Sequence, residues 1–200
     1  MKKLLLLPLI AINLLATAQT TAIPDANFEQ ALINLGYDNV IDGGVLTASI
    51  DTVTYLDVNT ANISDLTGIE DFTALERLEC FDNQLTSLDV SQNTALTFLD
   101  CYNNQLISID VTQNTALHTL WCDYNQLTNL DVTGATALTE LWCGSNPLTN
   151  LDVSQNTALE ELWCVNNQLT SLDVSQNTAL DTLYCQSNQL TSLDVSGATA

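Results

Sequence analysis

Basic side chains are almost missing from this sequence of 200 residues, which has three lysines and arginines against 24 acidic residues. Lys2 and Lys3 lie in a segment that we expect to be removed, which leaves Arg77 as the only basic residue of the mature chain. A chain this acidic repels nucleic acid and anionic membrane surfaces at long range. We therefore expect no nucleic-acid partner. The 46% of hydrophobic residues argues for a packed core and against a disordered acidic chain.

Motifs of catalysis are also missing. The single histidine, His118, falls at an exposed position of its repeat and has no identifiable serine or cysteine partner, so we predict a solvated surface residue. There is no phosphate-binding loop, and no pair of cysteines with the close C-x-x-C spacing of a zinc site. We predict that the protein is not an enzyme and that it needs no cofactor or metal.

The N-terminus has the features of an export signal. Two lysines follow Met1, an apolar run covers residues 4–16, and Ala16-Thr17-Ala18 is a small-x-small cleavage site. The run is shorter than the ~20 residues of a membrane-spanning helix, and no later segment is long and apolar enough to span a bilayer. We expect a signal peptide at residues 1–18, a mature chain that begins at Gln19, and a secreted or cell-surface location.

A repeat of 21 residues governs the chain over residues 75–200. Each unit opens with the pattern L-x-x-L-x-C-x-x-N-x-L, and a divergent unit precedes them at residues 53–74. Side chains alternate between the two faces of a strand, so the second leucine and the cysteine point inward and the residue between them points outward. The six units begin at Leu75, Leu96, Leu117, Leu138, Leu159 and Leu180.

These units predict an α/β solenoid with a parallel sheet on its concave face and short turns on its convex face. The conserved spacing places an inward ladder of asparagines where each strand ends, and these can bond otherwise buried backbone groups. In the second half of a unit, Asp89 and Ser91 suit an Asx turn. The asparagine ladder comprises Asn83, Asn104, Asn125, Asn146, Asn167 and Asn188.

A cap is predicted before the repeats, at residues 19–52. It contains a short amphipathic helix at about residues 24–35 with Phe28, Ala31, Leu32 and Leu35 on one face, and Gly36 ends it. Such a cover is needed because the first repeat would otherwise expose its core. No comparable segment follows the last unit, so we expect the natural protein to continue past Ala200.

The pattern resembles the internalin-like branch of the leucine-rich-repeat proteins, with cysteine at a position where leucine is usual. The segment ISDLTGIEDFTALERL, residues 63–78, is the most similar stretch. The segment IPDANFEQALINLGYD and the LTSLDVSQNTAL units are similar to secreted repeat proteins of the Bacteroidota. This resemblance implies a curved solenoid that binds proteins or glycans through its concave sheet.

Six cysteines spaced 21 residues apart form one column of the predicted core. Neighbouring strands place them about 4.8 Å apart with parallel side chains, whereas a disulfide needs Cβ atoms about 3.8 Å apart and inclined toward each other. We therefore expect buried free thiols. They are Cys80, Cys101, Cys122, Cys143, Cys164 and Cys185.

Aromatic residues gather on the solvent side of the predicted sheet. All three tryptophans occupy the outward position of their strands, followed by a tyrosine in the next unit. Such a patch marks an interaction site, because tryptophan and tyrosine give large contacts at low entropic cost. Self-packing of the column is the alternative. The candidate ligand-binding residues are Trp121, Trp142, Trp163, Tyr184, Phe98, Tyr102, Tyr124, Glu140 and Glu161.

Three other functions are weaker on the residues alone. Glu140 and Glu161 fall about 5 Å apart on adjacent strands, as in retaining glycosidases, but any repeat stacks its equivalent residues at this distance. The aspartate column that includes Asp89 could bind calcium, although its loop lacks a calcium-binding motif. Rows of threonines could present an ice-binding lattice, which thermal hysteresis would detect. A structural or surface-layer scaffold without a ligand is the main alternative to a recognition module.

Overall fold

The computed structural model describes residues 18–198. The predicted signal peptide, residues 1–18, therefore lies outside the described residues except for Ala18. Within the described part, stacked repeats form a solenoid whose main sheet has seven parallel strands in sequential spatial order. The strands are β3 (Tyr55–Asp57), β4 (Arg77–Glu79), β5 (Phe98–Asp100), β6 (Thr119–Trp121), β7 (Glu140–Trp142), β8 (Glu161–Trp163) and β10 (Thr182–Tyr184).

The leucine and cysteine columns face the core, as the repeat pattern predicts. In β6, Leu120 is fully buried and Trp121 points to the opposite face, and Cys122, directly after the strand, is again fully buried. Adjacent strands pair without a register shift, so each residue lies beside its equivalent in the next repeat. The predicted leucine-rich-repeat solenoid is confirmed.

The cysteines are free thiols, and all but Cys185 are buried. Burial raises the pKa of Cys164 to about 12, and it raises the pKa of Cys101, Cys122 and Cys143 well above the usual thiol range. These side chains remain protonated and act as small apolar residues of the core.

The asparagine ladder joins each repeat to the one before it. The side-chain Nδ2 of Asn104 donates to the carbonyl oxygens of Cys80 and Cys101, at 3.0 and 3.1 Å. Its Oδ1 accepts from the backbone N–H of Leu85 at 3.0 Å. The other members repeat this arrangement, so polar backbone groups at the strand ends are paired although they are buried.

A second asparagine ladder runs along the return side, and the sequence pattern did not predict it. Asn114 is 1% exposed, and its Nδ2 donates to the carbonyl oxygens of Val90 and Asn93 at 3.1 and 2.9 Å. Ala135 interrupts this ladder directly after Gly134. A Cβ at Gly134 would lie 2.2 Å from the carbonyl oxygen of Thr112, so only glycine fits there.

Short turns form the return side, as predicted. The Oδ1 of Asp89 accepts from the N–H of Ser91 at 2.9 Å, and the later repeats form the same Asx turn. Hydrogen bonds from the backbone N–H and the side chain of Ser91 lower the pKa of the Asp89 carboxyl. The return side also contains a narrow second parallel ladder, which was not expected: isolated bridges at Asp89, Asp110, Asp131 and Asp152, and the paired strands β9 (Ser171–Asp173) and β11 (Ser192–Asp194).

The N-terminal cap contains helix α1 (Ala26–Leu35), flanked by the antiparallel pair β1 (Thr20–Ala22) and β2 (Gly44–Leu46). Asp25 caps the helix through the N–H groups of Asn27 and Phe28, and its other oxygen accepts from Ser64 of the first repeat. Gly36 ends the helix at φ 83°. Of the four residues predicted on one face of the helix, Phe28 and Leu32 are fully buried and Ala31 is partly buried against the core, whereas Leu35 at the end of the helix is 45% exposed.

Candidate ligand-binding face

The solvent side of the seven-stranded sheet, here called the sheet face, carries three columns of side chains. The central column holds the residue between the buried leucine and cysteine of each repeat, and the flanking columns lie two residues before and after it. The central column changes from acidic to aromatic along the solenoid: Asp57, Glu79, Asp100, Trp121, Trp142, Trp163 and Tyr184.

The aromatic part of this column forms a continuous stack. Ring centroids lie 4.8 Å apart between Trp121 and Trp142, 4.9 Å between Trp142 and Trp163, and 4.2 Å between Trp163 and Tyr184. Phe98 meets Trp121 edge to face at 5.0 Å. The stack follows from the in-register pairing, because strands about 4.8 Å apart place equivalent rings in contact. Trp142 and Trp163 therefore have a ring on each side, whereas Tyr184, the last ring of the column, contacts only Trp163 and is 38% exposed.

Two glutamates of the preceding column hold the indole N–H groups. Trp121 Nε1 donates to Glu140 Oε1 at 3.0 Å, and Trp163 Nε1 donates to Glu161. Trp142 Nε1 is buried between the other rings and has no partner among the described residues. Burial is the main reason why the pKa of Glu140 is raised. The hydrogen bond from Trp121 lowers this pKa, and the negative charge of Glu161 raises it further. The two glutamates thus fix the indole orientations and are not arranged as an acid–base pair in a closed pocket.

Tyr102 and Tyr124 form a second aromatic contact, beside the stack. Their rings meet edge to face with centroids 5.3 Å apart, and both side chains are exposed. Tyr124 follows its strand at φ 52°, in the left-handed region. Equivalent positions in the other repeats hold Asp82, Asn103 and Ser145 or similar short polar residues, which tolerate this conformation better.

A cluster of side chains around Arg77, at the N-terminal end of the sheet face, was not predicted from the sequence. The guanidinium carbon of Arg77 lies 3.5 Å from the centroid of the Phe98 ring and 5.9 Å from that of Tyr55. Arg77 Nε also donates to Glu79 Oε1 at 2.7 Å. The sequence could have predicted this cluster, because Tyr55, Arg77 and Phe98 occupy equivalent positions of successive repeats and in-register strands place them side by side.

Two buried aspartates were also missed. Asp100 and Asp123 occupy columns that face solvent, but they are only 6% and 8% exposed. Asp100 accepts from the N–H of Tyr102 at 3.0 Å, and Asp123 accepts from the N–H of Gly144 at 2.7 Å. The other oxygen of Asp123, Oδ2, is buried without a partner. Burial raises the pKa of both carboxyls to about 6.

The remaining expectations concern His118, metal binding and membrane-spanning helices. His118 is exposed, as expected. Across residues 18–198, no group of three or more His, Cys, Asp or Glu side chains is placed to hold a metal ion. The only α-helix in this part of the chain, α1, has ten residues, and no described helix is long and apolar enough to cross a bilayer.

Comparisons with known proteins agree with this architecture. A family model described as Leucine Rich repeats (2 copies) matches residues 157–197. Over 70 residues, 35% of this chain, the sequence is 44% identical to internalin J of Listeria monocytogenes, and the match covers 8% of that protein.

Solved structures extend the similarity to nearly the whole chain. The functional domain of InlJ from Listeria monocytogenes, described as including a cysteine ladder, shares 43% identity with a TM-score of 0.84 over 92% of this chain and 42% of that one. Internalin C2 of the same species shares the fold at 22% identity, with a TM-score of 0.65 over 92% of this chain and 94% of its own. The chain thus spans less than half of the InlJ domain that it resembles. Its architecture is a leucine-rich-repeat solenoid, and its repeat sequence is similar to that of the internalins.

Proposed function

We propose that the chain is an exported recognition module that binds a macromolecular ligand on the sheet face, through Trp121, Trp142, Trp163 and Tyr184. The observation that carries the proposal is the continuous, half-buried aromatic stack on an open face of the sheet. Large aromatic side chains that are rigid and partly exposed dominate the energetics of protein interfaces. Internalin-like solenoids are recognition modules in general, which supports the same assignment.

The ring arrangement favours a protein ligand over a glycan. Binding of a sugar ring by stacking needs a free aromatic face. Trp142 and Trp163 have a ring on each side, so within the stack only Tyr184, at its end, offers a side without a ring neighbour. The exposed edges, together with the flanking carboxylates, suit the mixed apolar and polar contacts of a protein surface. A glycan that binds through its hydroxyl groups is the alternative, and the fluorescence titration described below includes glycans to test it.

A scaffold role is the second candidate, and one observation favours it. The tryptophans satisfy one another by stacking and two of them donate to glutamates, so their presence is explained without a ligand. Aromatic pairs contribute about 0.5–1.5 kcal/mol beyond the area that they bury. Under this role the stack stiffens the solenoid and no saturable binding exists.

Tryptophan fluorescence separates the two roles, because all three tryptophans lie in the stack. The mature chain is titrated with candidate proteins and glycans. For a recognition module, one ligand class gives a saturable shift, and Trp142→Ala weakens the affinity about 30-fold or more. The matched control is Ile107→Ala, an apolar residue that is 63% exposed and lies outside the sheet strands; it should leave the affinity unchanged.

The stability of both variants is measured in parallel. We expect Trp142→Ala to lower the free energy of unfolding by about 1–3 kcal/mol, because Trp142 stacks on two neighbours. A loss of stability without any saturable ligand in the panel would support the scaffold role and reject the recognition role.

Export is a separate part of the proposal. Expression of the full sequence in a bacterial host should release a protein whose N-terminal residue is Gln19, because Ala16-Thr17-Ala18 fits the cleavage site of a signal peptidase. Mass spectrometry of the exported protein tests this. Retention of Met1 in all of the protein would reject cleavage.

A further inference from the structure

Sulfur offers little to an oxidant in this chain. The only methionine, Met1, falls in the predicted signal peptide. Five of the six thiols are buried, and burial raises the pKa of all five, so the reactive thiolate is scarce. Tryptophan and tyrosine are the oxidisable side chains that remain accessible. All three tryptophans lie in the aromatic stack of the sheet face, and each is partly exposed.

The rings of the stack are close enough to exchange electrons. Ring centroids lie 4.8, 4.9 and 4.2 Å apart from Trp121 to Tyr184, so consecutive rings are in direct contact. Electron transfer between π systems in contact is much faster than across a gap, because the electronic coupling falls steeply with distance. The electron vacancy left by oxidation of one ring, here called the hole, can therefore move along the stack.

The three indole N–H groups differ in their proton acceptors. Trp121 Nε1 donates to Glu140 Oε1 at 3.0 Å, and Trp163 Nε1 donates to Glu161. Trp142 Nε1 is buried and has no partner among the described residues. An indole that has lost an electron is a much stronger acid, and its proton moves readily to a carboxylate within hydrogen-bond reach. Trp142 lacks such an acceptor, so a hole on its ring can only pass to a neighbour.

We propose that the aromatic stack is a site of one-electron oxidation, in which Trp142 relays the hole and Trp121 and Trp163 trap it as neutral radicals. The oxidant is a one-electron acceptor from the surroundings, such as an oxidised metal complex or a peroxyl radical. It takes one electron from an indole and is itself reduced. The Nε1–H bond then breaks: its electron pair stays on nitrogen, and the proton forms an O–H bond with Glu140 or Glu161.

The trapped radicals lie on the side of the sheet opposite to the cysteine column. In β6 the ring of Trp121 is on the sheet face, whereas Cys122, directly after the strand, is fully buried in the core. The stack therefore holds one-electron oxidation on the open face and away from the core thiols.

The first experiment follows the radicals directly in the mature chain. A laser flash on tris(bipyridine)ruthenium with a sacrificial quencher generates the ruthenium(III) oxidant, and transient absorption distinguishes the indole radical cation from the neutral radical. We expect the unmodified chain to give the neutral radical. The variant E140Q/E161Q should prolong the lifetime of the radical cation about tenfold or more, because glutamine accepts the hydrogen bond but not the proton.

The matched control is E76Q/E160Q, which removes the same charge from two exposed glutamates outside the sheet strands. It should leave the lifetime of the radical cation unchanged. Equal lifetimes in the two double variants would reject Glu140 and Glu161 as the proton acceptors.

The second experiment locates the products. After exposure to the oxidant in air, peptide mass spectrometry should find Trp121 and Trp163 oxidised several-fold more than Trp142. Shielding of Trp142 by its two neighbours would give the same pattern, so the variant W121F/W163F is compared. Phenylalanine keeps a ring on each side of Trp142 but is much harder to oxidise. The hole should then remain on Trp142, whose oxidation should rise several-fold.

Low oxidation of Trp142 in both chains would reject the relay in favour of shielding. Equal oxidation of all three tryptophans in the unmodified chain would reject the trapping at Trp121 and Trp163. Both experiments use the chain without a macromolecular ligand. They are therefore independent of the recognition role, and failure of either leaves the Trp142→Ala binding experiment unaffected.

Discussion

The buried carboxyl of Asp123 makes the stability of the solenoid depend on pH between about 4 and about 6. Burial is the main cause of its raised pKa, and the charge of Asp100 adds to it, while the hydrogen bond from Gly144 opposes it. The folded chain therefore holds this proton more tightly than the unfolded chain does. The stabilisation is fully present below the ordinary value of 3.8 and is lost as the pH rises through about 6.

The magnitude follows from the two pKa values. A change from 3.8 to about 6 corresponds to an upper limit of about 3 kcal/mol. Solvent at the open sheet face screens part of this, so we expect Asp123→Asn to raise the free energy of unfolding at about pH 7.5 by about 1–2 kcal/mol. Asparagine keeps an acceptor for the N–H of Gly144 and removes the buried charge.

Urea denaturation of the mature chain at about pH 5 and about pH 7.5 tests this expectation. Asp100 and Glu140 also have raised pKa values and act in the same direction, so the variant should reduce the pH dependence without abolishing it. The matched control is Asp131→Asn, because hydrogen bonds from Thr133 lower the pKa of the exposed Asp131 and it titrates below this window. An unchanged difference in stability between the two pH values in Asp123→Asn would refute the reasoning.

Three further predictions concern the core. Asn104→Ala should lower the free energy of unfolding in urea denaturation by about 2–4 kcal/mol, because it leaves buried backbone groups of two repeats unpaired. The control is Gln105→Ala at an exposed position. An equal loss in both variants would contradict the stabilising role of the asparagine ladder. Gly134→Ala should lower the free energy of unfolding by about 1–3 kcal/mol, because the added Cβ clashes with the backbone of Thr112 in the preceding repeat. An unchanged thermal midpoint would contradict this and show that the backbone relaxes to make room. A thiol reagent should label Cys185 first and the five buried cysteines only on unfolding, which mass spectrometry of the labelled chain can follow. Labelling of all six at the same rate in the native chain would contradict the burial of the five.

The core of the solenoid could be predicted because it depends on the backbone period alone. A strand with leucine two residues before cysteine has only one register that buries both, and the next repeat copies it. The inward asparagine at the strand end follows from the same geometry, since it meets backbone groups that water cannot reach. The structure places Leu120, Cys122 and Asn125 as this reasoning requires.

The return side and the sheet face were less predictable because their structure depends on neighbouring side chains. The segment Gln92-Asn93-Thr94 is polar throughout, so nothing local distinguishes the fully buried Asn93 from its exposed neighbours. Asp100 belongs to an outward column, yet it is only 6% exposed, which the alternation of inward and outward positions does not predict. Whether a tryptophan presents a face or an edge likewise depends on the ring in the next repeat.

A solenoid separates these two kinds of position along every strand, and this separation determines where specificity can reside. The inward columns are nearly uniform from repeat to repeat because each contacts its own copies, so a change there disturbs two interfaces at once. The outward columns vary: the central one changes from Glu79 and Asp100 to Trp121 and Trp142 over four consecutive strands. Some outward residues also contact the next repeat, as the aromatic stack does, but the leucine and cysteine columns bury the core whichever residue stands between them. A ligand of the sheet face would therefore be recognised through the outward columns, where a substitution such as Trp142→Ala changes the surface but leaves the leucine and cysteine columns intact.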